Sequence, residues 1–315
     1  MKRWVLRIGV LFLLIVLAGV GVQACVRGDP PPDWGPTSGQ LTEGTLSHGG
    51  RDRHYLYLEP KDDGLHPLVI ALHGRRGEGR SQEKLTGLSK VAAREGFIVV
   101  FPDGYSESWH DARDHGPAAD AKIDDVGFLL ALKDELVAKH RADPKRVYLA
   151  GMSNGGMMAL TLACRASEHF AAVASVAGLL PTREECKPKA PLSVALVSGT
   201  DDPLMPFEGG EVNGSNGGVH SAKESGERLA KANGCSGDSE RRSLPNADPN
   251  DAMTTEVDFW TACPPGIEVR RYTVQGGGHT WPGGWQYLSD RWIGKTTRDW
   301  SASEEIWAFF KDKSR

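Results

Sequence analysis

The sequence predicts an α/β fold, a doubly wound and mostly parallel sheet with helices on both faces. Short apolar runs at residues 68–72, 97–101, 147–150 and 192–197 show no polar face, as expected of strands covered on both sides. Between them, Leu85, Leu88, Val91 and Ala92, and then Ile123, Val126, Leu130, Leu132, Leu136 and Val137, recur at helical spacing. Strand and helix patterns therefore alternate, which makes successive strands parallel and sends helices across the sheet.

The 315 residues are 39% hydrophobic and 25% charged, an ordinary globular composition. That length accommodates one large α/β domain or two small ones. The formal charge is −4, and no motif in the chain suggests a nucleic-acid partner. Residues 1–24 read as an export signal. Lys2, Arg3 and Arg7 precede an apolar run at 8–22, and Gln23-Ala24-Cys25 follows. Removing those three positive charges takes −4 to −7. Two fates follow. Val22-Gln23-Ala24-Cys25 is similar to a lipidation signal that would tether Cys25 to a membrane. The alternative is plain secretion, or retention of the segment as a short anchor. Residues 25–45, with Pro30-Pro31-Pro32 and Pro36, read as an extended tether, and 46–315 as the single folded α/β domain.

Within that domain, residues 54–59 alternate as a strand. The run 68–72 ends in the loop His73-Gly74-Arg75-Arg76-Gly77. A helix starts at Ser81 and closes near Gly96. The strand 97–101 stops at Pro102-Asp103-Gly104, and a long loop carries Ser108-Trp109-His110-Asp111. The helix from Ile123 closes at Asp143-Pro144. Strands at 170–177, 192–197 and 269–274 follow, with a last helix at 301–311. Residues 209–218, rich in Gly, Asn and Ser, read as a mobile loop containing the sequon Asn213-Gly214-Ser215, and residues 237–251 read as another loop.

Setting Cys25 aside, Cys164, Cys186, Cys235 and Cys263 remain. An even number in an exported chain predicts two disulfides. Of three pairings, the nearest in sequence, Cys164–Cys186 and Cys235–Cys263, is the one expected. The competing metal site lacks C-x-x-C spacing and flanking histidines.

The chemistry centres on Gly151-Met152-Ser153-Asn154-Gly155. It lies between the strand 147–150 and a helix over 156–163. A strand turning this sharply into a helix crowds the flanking positions, hence the glycines, and pushes the apical serine out of the sheet. The bland alternative is a Gly-rich turn with a serine N-cap. A nucleophilic serine needs a base, and the base needs an orienting acid. In an open parallel sheet both sit just past strand ends. After the strand 192–197 comes Ser198-Gly199-Thr200-Asp201-Asp202-Pro203, where Asp202 is favoured over Asp201. After 269–274 comes Gly276-Gly277-Gly278-His279, the expected base; His73, His110, His115 and His220 are rivals. Two backbone N–H groups should form an oxyanion hole, those of Asn154 and Arg75. Trp109, Trp281 and Trp285 are candidates for stacking on substrate, against plain packing onto the core.

Ala71-Leu72-His73-Gly74, Phe101-Pro102-Asp103-Gly104, Ile123-Asp124-Asp125-Val126-Gly127-Phe128, the serine motif, Gly199-Thr200-Asp201-Asp202-Pro203 and His279-Thr280-Trp281-Pro282-Gly283 span most of the mature chain. Together they resemble secreted polyhydroxybutyrate depolymerase-like esterases, close to feruloyl and acetylxylan esterases of the α/β-hydrolase fold. The resemblance implies a triad of Ser153, Asp202 and His279, a disulfide near the last strand for which Cys235 and Cys263 are available, and no metal or cofactor. It implies an ester substrate, either a polyester oligomer or a plant-polysaccharide ester. Arg75-Arg76 depart from the small residues usual after His-Gly. The alternatives on the same residues are an acyltransferase, a serine peptidase, or a glycan-binding lipoprotein with an idle site.

Overall fold

A computed structural model describes residues 28–30, 41–212 and 217–315. The export-signal segment and the sequon at 213–215 lie outside these residues. In chain order the strands are β1 (Thr42–His48), β2 (Arg51–Leu58), β3 (His66–Leu72), β4 (Ile98–Pro102), β5 (Ala142–Met152), β6 (Ala172–Val176) and β7 (Ser193–Gly199). They continue with the two-residue pair β8 (Gly210–Glu211) and β9 (Gly218–Val219), then β10 (Glu240–Ser243), β11 (Thr254–Trp260) and β12 (Val269–Gln275). Ten form one sheet in the order β1-β2-β4-β3-β5-β6-β7-β12-β11-β10. From β4 to β12 the neighbours are parallel, and two antiparallel strands close each edge.

The missing polar face of the central strands follows from their double cover. In β3, Val69 and Ala71 join one apolar cluster while Leu68, Ile70 and Leu72 join the other. β4 and β5 split the same way. The first cluster takes in the helices α1 (Gly79–Thr86), α2 (Leu88–Glu95) and α8 (Ala302–Phe310). The second takes in α4 (Asp125–Lys139) and α5 (Asn154–Arg165). Three short or peripheral helices complete the set, α3 (Pro117–Asp120), α6 (Ala222–Ala232) and α7 (Asp290–Ile293).

Four local readings need correction. The helix expected from Ser81 to Gly96 is two helices, because Gly87 adopts φ 62° and ends one while starting the next. β1 begins at Thr42 and pairs with β2 along its whole length, inside the segment read as tether. The loop 237–251 contains β10, an exposed edge strand of Glu-Arg-Arg-Ser with no apolar alternation to reveal it. β11 and α6 were not anticipated. Asp258 in β11 is buried, and its carboxylate is satisfied by Arg241 and Arg271 from the neighbouring strands, a pairing visible only once the sheet is assembled. The disulfides are Cys164–Cys186 and Cys235–Cys263.

One buried ion pair ties β2 to the first residue of α4 and, through it, to the long loop before that helix. Arg53 of β2 donates to Asp125 Oδ1 at 2.8 Å and to the Asp103 carbonyl at 3.1 Å, and Asp125 Oδ2 accepts from the His110 N–H at 2.8 Å. Burial pushes the Asp125 carboxyl above its ordinary range, against the pull of the His110 amide and of Arg53. Arg53→Met leaves that carboxylate buried and unpaired, which destabilises the fold by roughly 3–5 kcal/mol. Arg53→Met with Asp125→Leu recovers part of the loss. Urea midpoints of the two variants check both statements.

Candidate active site

β5 ends at Met152, α5 starts at Asn154, and Ser153 between them holds φ 55° and ψ −119°. The turn needs its glycines. A Cβ on Gly151 would stand 2.3 Å from the Gly155 carbonyl oxygen, and one on Gly155 would stand 2.5 Å from the Leu72 and His73 carbonyl oxygens. The Ser153 N–H is held by the Val176 carbonyl at 2.8 Å. The loop after β3 passes close by, since a Cβ on Gly74 would sit 3.4 Å from Ser153 Cβ.

The acid and the histidine come from the neighbouring strands β7 and β12. His279 Nδ1 donates to Asp202 Oδ2 at 2.8 Å, with both side chains almost fully buried. Asp202 Oδ1 accepts from the N–H groups of Leu204 and Met205 at 2.8 and 2.7 Å. Asp201 instead is exposed and accepts from the Thr200 hydroxyl at 3.1 Å. The two loops touch as bare backbone. A Cβ on Gly199 would fall 2.1 Å from the Gly277 carbonyl oxygen, and the Asp201 N–H donates to that carbonyl at 3.0 Å. On the far side of the histidine, its N–H donates to the Ile293 carbonyl at 2.5 Å.

The candidate oxyanion donors are tied together by side chains. Among the described residues, neither the Asn154 nor the Arg75 amide donates to a backbone carbonyl. The Asn154 carboxamide accepts from the Trp109 N–H at 2.7 Å. It donates to the Trp109 carbonyl at 3.0 Å and to Asp111 Oδ2 at 2.7 Å. Asp111 is paired with Arg113, and both are buried. Trp109 Nε1 donates to the His73 carbonyl at 2.9 Å. His73 donates from Nδ1 to the Gly74 carbonyl and accepts at Nε2 from the Gly104 N–H, both at 2.8 Å. One chain of hydrogen bonds thus links the loop after β3, the loop after β4 and the first turn of α5.

Residues 53–196 match the sequence profile of the esterase PHB depolymerase family. The protein named "Putative esterase NocK" of Nocardia uniformis subsp. tsuyamanensis is 35% identical over 274 residues, 81% of this chain and 78% of its own. The chain belongs to this esterase family. Feruloyl esterase B of Piromyces equi is 30% identical over 220 residues, 68% of this chain but 39% of that protein. Among solved structures, the acetyl xylan esterase from Aspergillus awamori superposes with a TM-score of 0.57 at 17% identity, covering 77% of this chain and 94% of that one. It shares the α/β-hydrolase fold. This protein is a serine hydrolase acting on carboxylic esters.

The esterase corrects one expectation about its tryptophans. Trp109 and Trp281 are fully buried and present no stacking surface. Trp109 packs against His73 of the loop after β3, and Trp281 Nε1 donates to Ser303 Oγ at 3.0 Å inside the first apolar cluster. A loop that carries an indole gains most by folding it inward. Trp285 is half-buried and donates from Nε1 to the Asp29 carbonyl at 2.8 Å, so it docks the segment before β1. Asp111, Arg113 and Tyr287 were missed. Tyr287 Oη donates to the His279 carbonyl at 3.3 Å, and burial, with the Asp202 charge, pushes its phenol far up. The sequence carried no local signal for any of the three.

His73 is a rival base that the fold uses otherwise. Both ring nitrogens are engaged in the neutral form, and burial lowers its pKa. The unfolded chain therefore takes up a proton near the ordinary value, about pH 6.5, where the native ring does not. The stability this contributes is complete above that pH and is lost as pH falls below it. Urea midpoints measured between pH 7.5 and 5 should fall, and His73→Gln should flatten that part of the slope.

Proposed function

We propose that this esterase works through a Ser153–His279–Asp202 triad on the outer side of the cytoplasmic membrane. The observation that carries the reading is the buried 2.8 Å contact between His279 Nδ1 and Asp202 Oδ2, on loops past the carboxyl ends of β7 and β12, the same rim of the parallel strands at which β5 ends and Ser153 follows. A carboxylate only accepts, so Nδ1 holds the proton and Nε2 is the nitrogen able to take another. His279 removes the Ser153 proton as Oγ attacks the ester carbonyl. Asp202 stabilises the imidazolium that results. The N–H groups of Asn154 and Arg75 receive the oxyanion, assisted by the positive end of α5. His279 then protonates the departing alcohol. Water, deprotonated by the same nitrogen, cleaves the acyl-serine.

Polyhydroxybutyrate oligomers and feruloyl- or acetyl-polysaccharides are the substrate classes, as the family and its named relatives suggest. Export is supported by the two disulfides and by the N-terminal pattern at residues 1–24. Among the described residues no helix is long and apolar enough to cross a membrane. The segment 1–27 lies outside them, and mass spectrometry of the mature N-terminus separates lipidation of Cys25 from plain secretion or a retained anchor.

A panel of p-nitrophenyl acetate, methyl ferulate and 3-hydroxybutyrate dimer tests the reaction. Wild type should turn over at least one and react with a fluorophosphonate probe. Ser153→Ala should do neither. Asp202→Asn should lower kcat by about 10³–10⁴-fold with little change in KM, because the imidazole loses its orienting acceptor. Full activity in Ser153→Ala would sink the reading.

A further inference from the structure

Arg75 and Arg76 stand in the loop nearest the nucleophile, and the reaction proposed for Ser153 uses only one backbone N–H of the pair. They occupy the central positions of a tight turn, closed by the Gly77 N–H on the Gly74 carbonyl at 3.0 Å. Arg76 holds φ 66°, an angle at which glycine is the ordinary residue. Both side chains are exposed, and among the described residues no carboxylate pairs with either.

The position of Arg75 relative to the elbow follows from two contacts. A Cβ on Gly74 would sit 3.4 Å from Ser153 Cβ, and Arg75 is the next residue. Its guanidinium carbon lies 3.9 Å from where a Cβ on Gly116 would stand. Gly116 belongs to the loop after β4, whose Trp109 and Asp111 grip the Asn154 side chain. The Arg75 side chain therefore runs between the two loops that meet the elbow. The acids of this neighbourhood are spent on other partners. Asp103 accepts from the Gly79 N–H at 2.7 Å, Asp111 from Arg113 and Asn154, and Asp114 pairs with His110 at 3.1 Å. Glu107 meets Arg76 through its carbonyl, which takes the Arg76 N–H at 2.8 Å. The formal charge of the whole chain is −4, so two unpaired cations beside the nucleophile reverse its sign locally.

We infer that the Arg75 side chain selects esters that carry a free carboxylate a few bonds from the scissile carbonyl, with Arg76 adding to the local field. The planar fork of a guanidinium matches a carboxylate with two parallel, charge-assisted hydrogen bonds. A neutral ester gains nothing from it. The carboxylate can belong to either part of the substrate, as in a hydroxy-acid oligomer that ends in its acid or a half-ester of a dicarboxylic acid. The inference rests on the esterase reading of Ser153, because it places the guanidinium beside the substrate whose carbonyl oxygen the Arg75 N–H receives.

Two substrate pairs test it, each pair sharing one type of scissile bond. The 3-hydroxybutyrate dimer against its methyl ester puts the carboxylate on the alcohol part, with cleavage of the internal bond followed by chromatography. Monoethyl glutarate against ethyl pentanoate puts it on the acyl part. The quantity read is the ratio of kcat/KM values, charged over neutral, in which a general change in catalysis cancels. Wild type should favour the charged member of at least one pair, and which pair does so locates the carboxylate. Arg75→Gln keeps the backbone N–H and should lower that ratio about tenfold, mainly through KM, as loss of a hydrogen bond to a charged group implies. Arg75→Lys should retain part of the preference, and 0.5 M salt should shrink it in wild type. No charge preference in wild type, an unchanged ratio in Arg75→Gln, or a drop confined to Arg76→Gln overturns the inference. Failure to cleave any of these esters or p-nitrophenyl acetate would instead remove the esterase mechanism. Ligand-observed NMR of the dimer and its methyl ester on Ser153→Ala, with and without Arg75→Gln, would then still decide the role of the arginine.

Discussion

Ser153 is held at a backbone angle that a non-glycine residue rarely adopts, and the rest of the site depends on that. Such a conformation costs on the order of 1–3 kcal/mol. It persists because the elements on either side have no freedom to relax it. β5 is paired on both edges, with β3 and β6. Apart from Arg165, every residue of α5 is buried. The helix cannot lift off the sheet without exposing that surface, so the serine stays at the crest of the turn with the helix dipole beneath it.

Buried polar groups do the remaining positioning. Asn154, Asp111 and Arg113 are enclosed together, where an unpaired group is costly and a paired one is rigid. The same network grips Trp109 and, through its indole, the His73 carbonyl. The loop carrying Arg75 and the turn carrying Asn154 are thereby referred to a common frame. Asp202 and His279 form a second frame, built on backbone contact between glycine-lined loops and braced by the 287–295 segment. Both frames sit at the carboxyl-end rim of the parallel strands, where the proposed oxyanion donors and proton relay need fixed positions.

Much of this was legible in the residues. Apolar runs without a polar face announced β3, β4, β5 and β7, because double-sided burial leaves that mark locally. Gly151 and Gly155 around Ser153, and the Gly-Gly-Gly before His279, marked close backbone approach in the same way. The edge strands were less visible. β10 is wholly polar, and β11 hides its buried Asp258 behind arginines from strands on both sides.

The sequence by itself determined the order of the central elements, the elbow, and the acid and histidine at their strand ends. Each follows from interactions between near neighbours in the chain or from a strand end with few loop residues to choose among. Tertiary structure alone decided which tryptophans turn inward and which stays out, what role His73 plays, and which buried carboxylates and arginines brace the loops. Those outcomes rest on contacts between segments tens of residues or more apart. Burial and hydrogen-bond satisfaction there are properties of the assembled interior, and no local pattern encodes them.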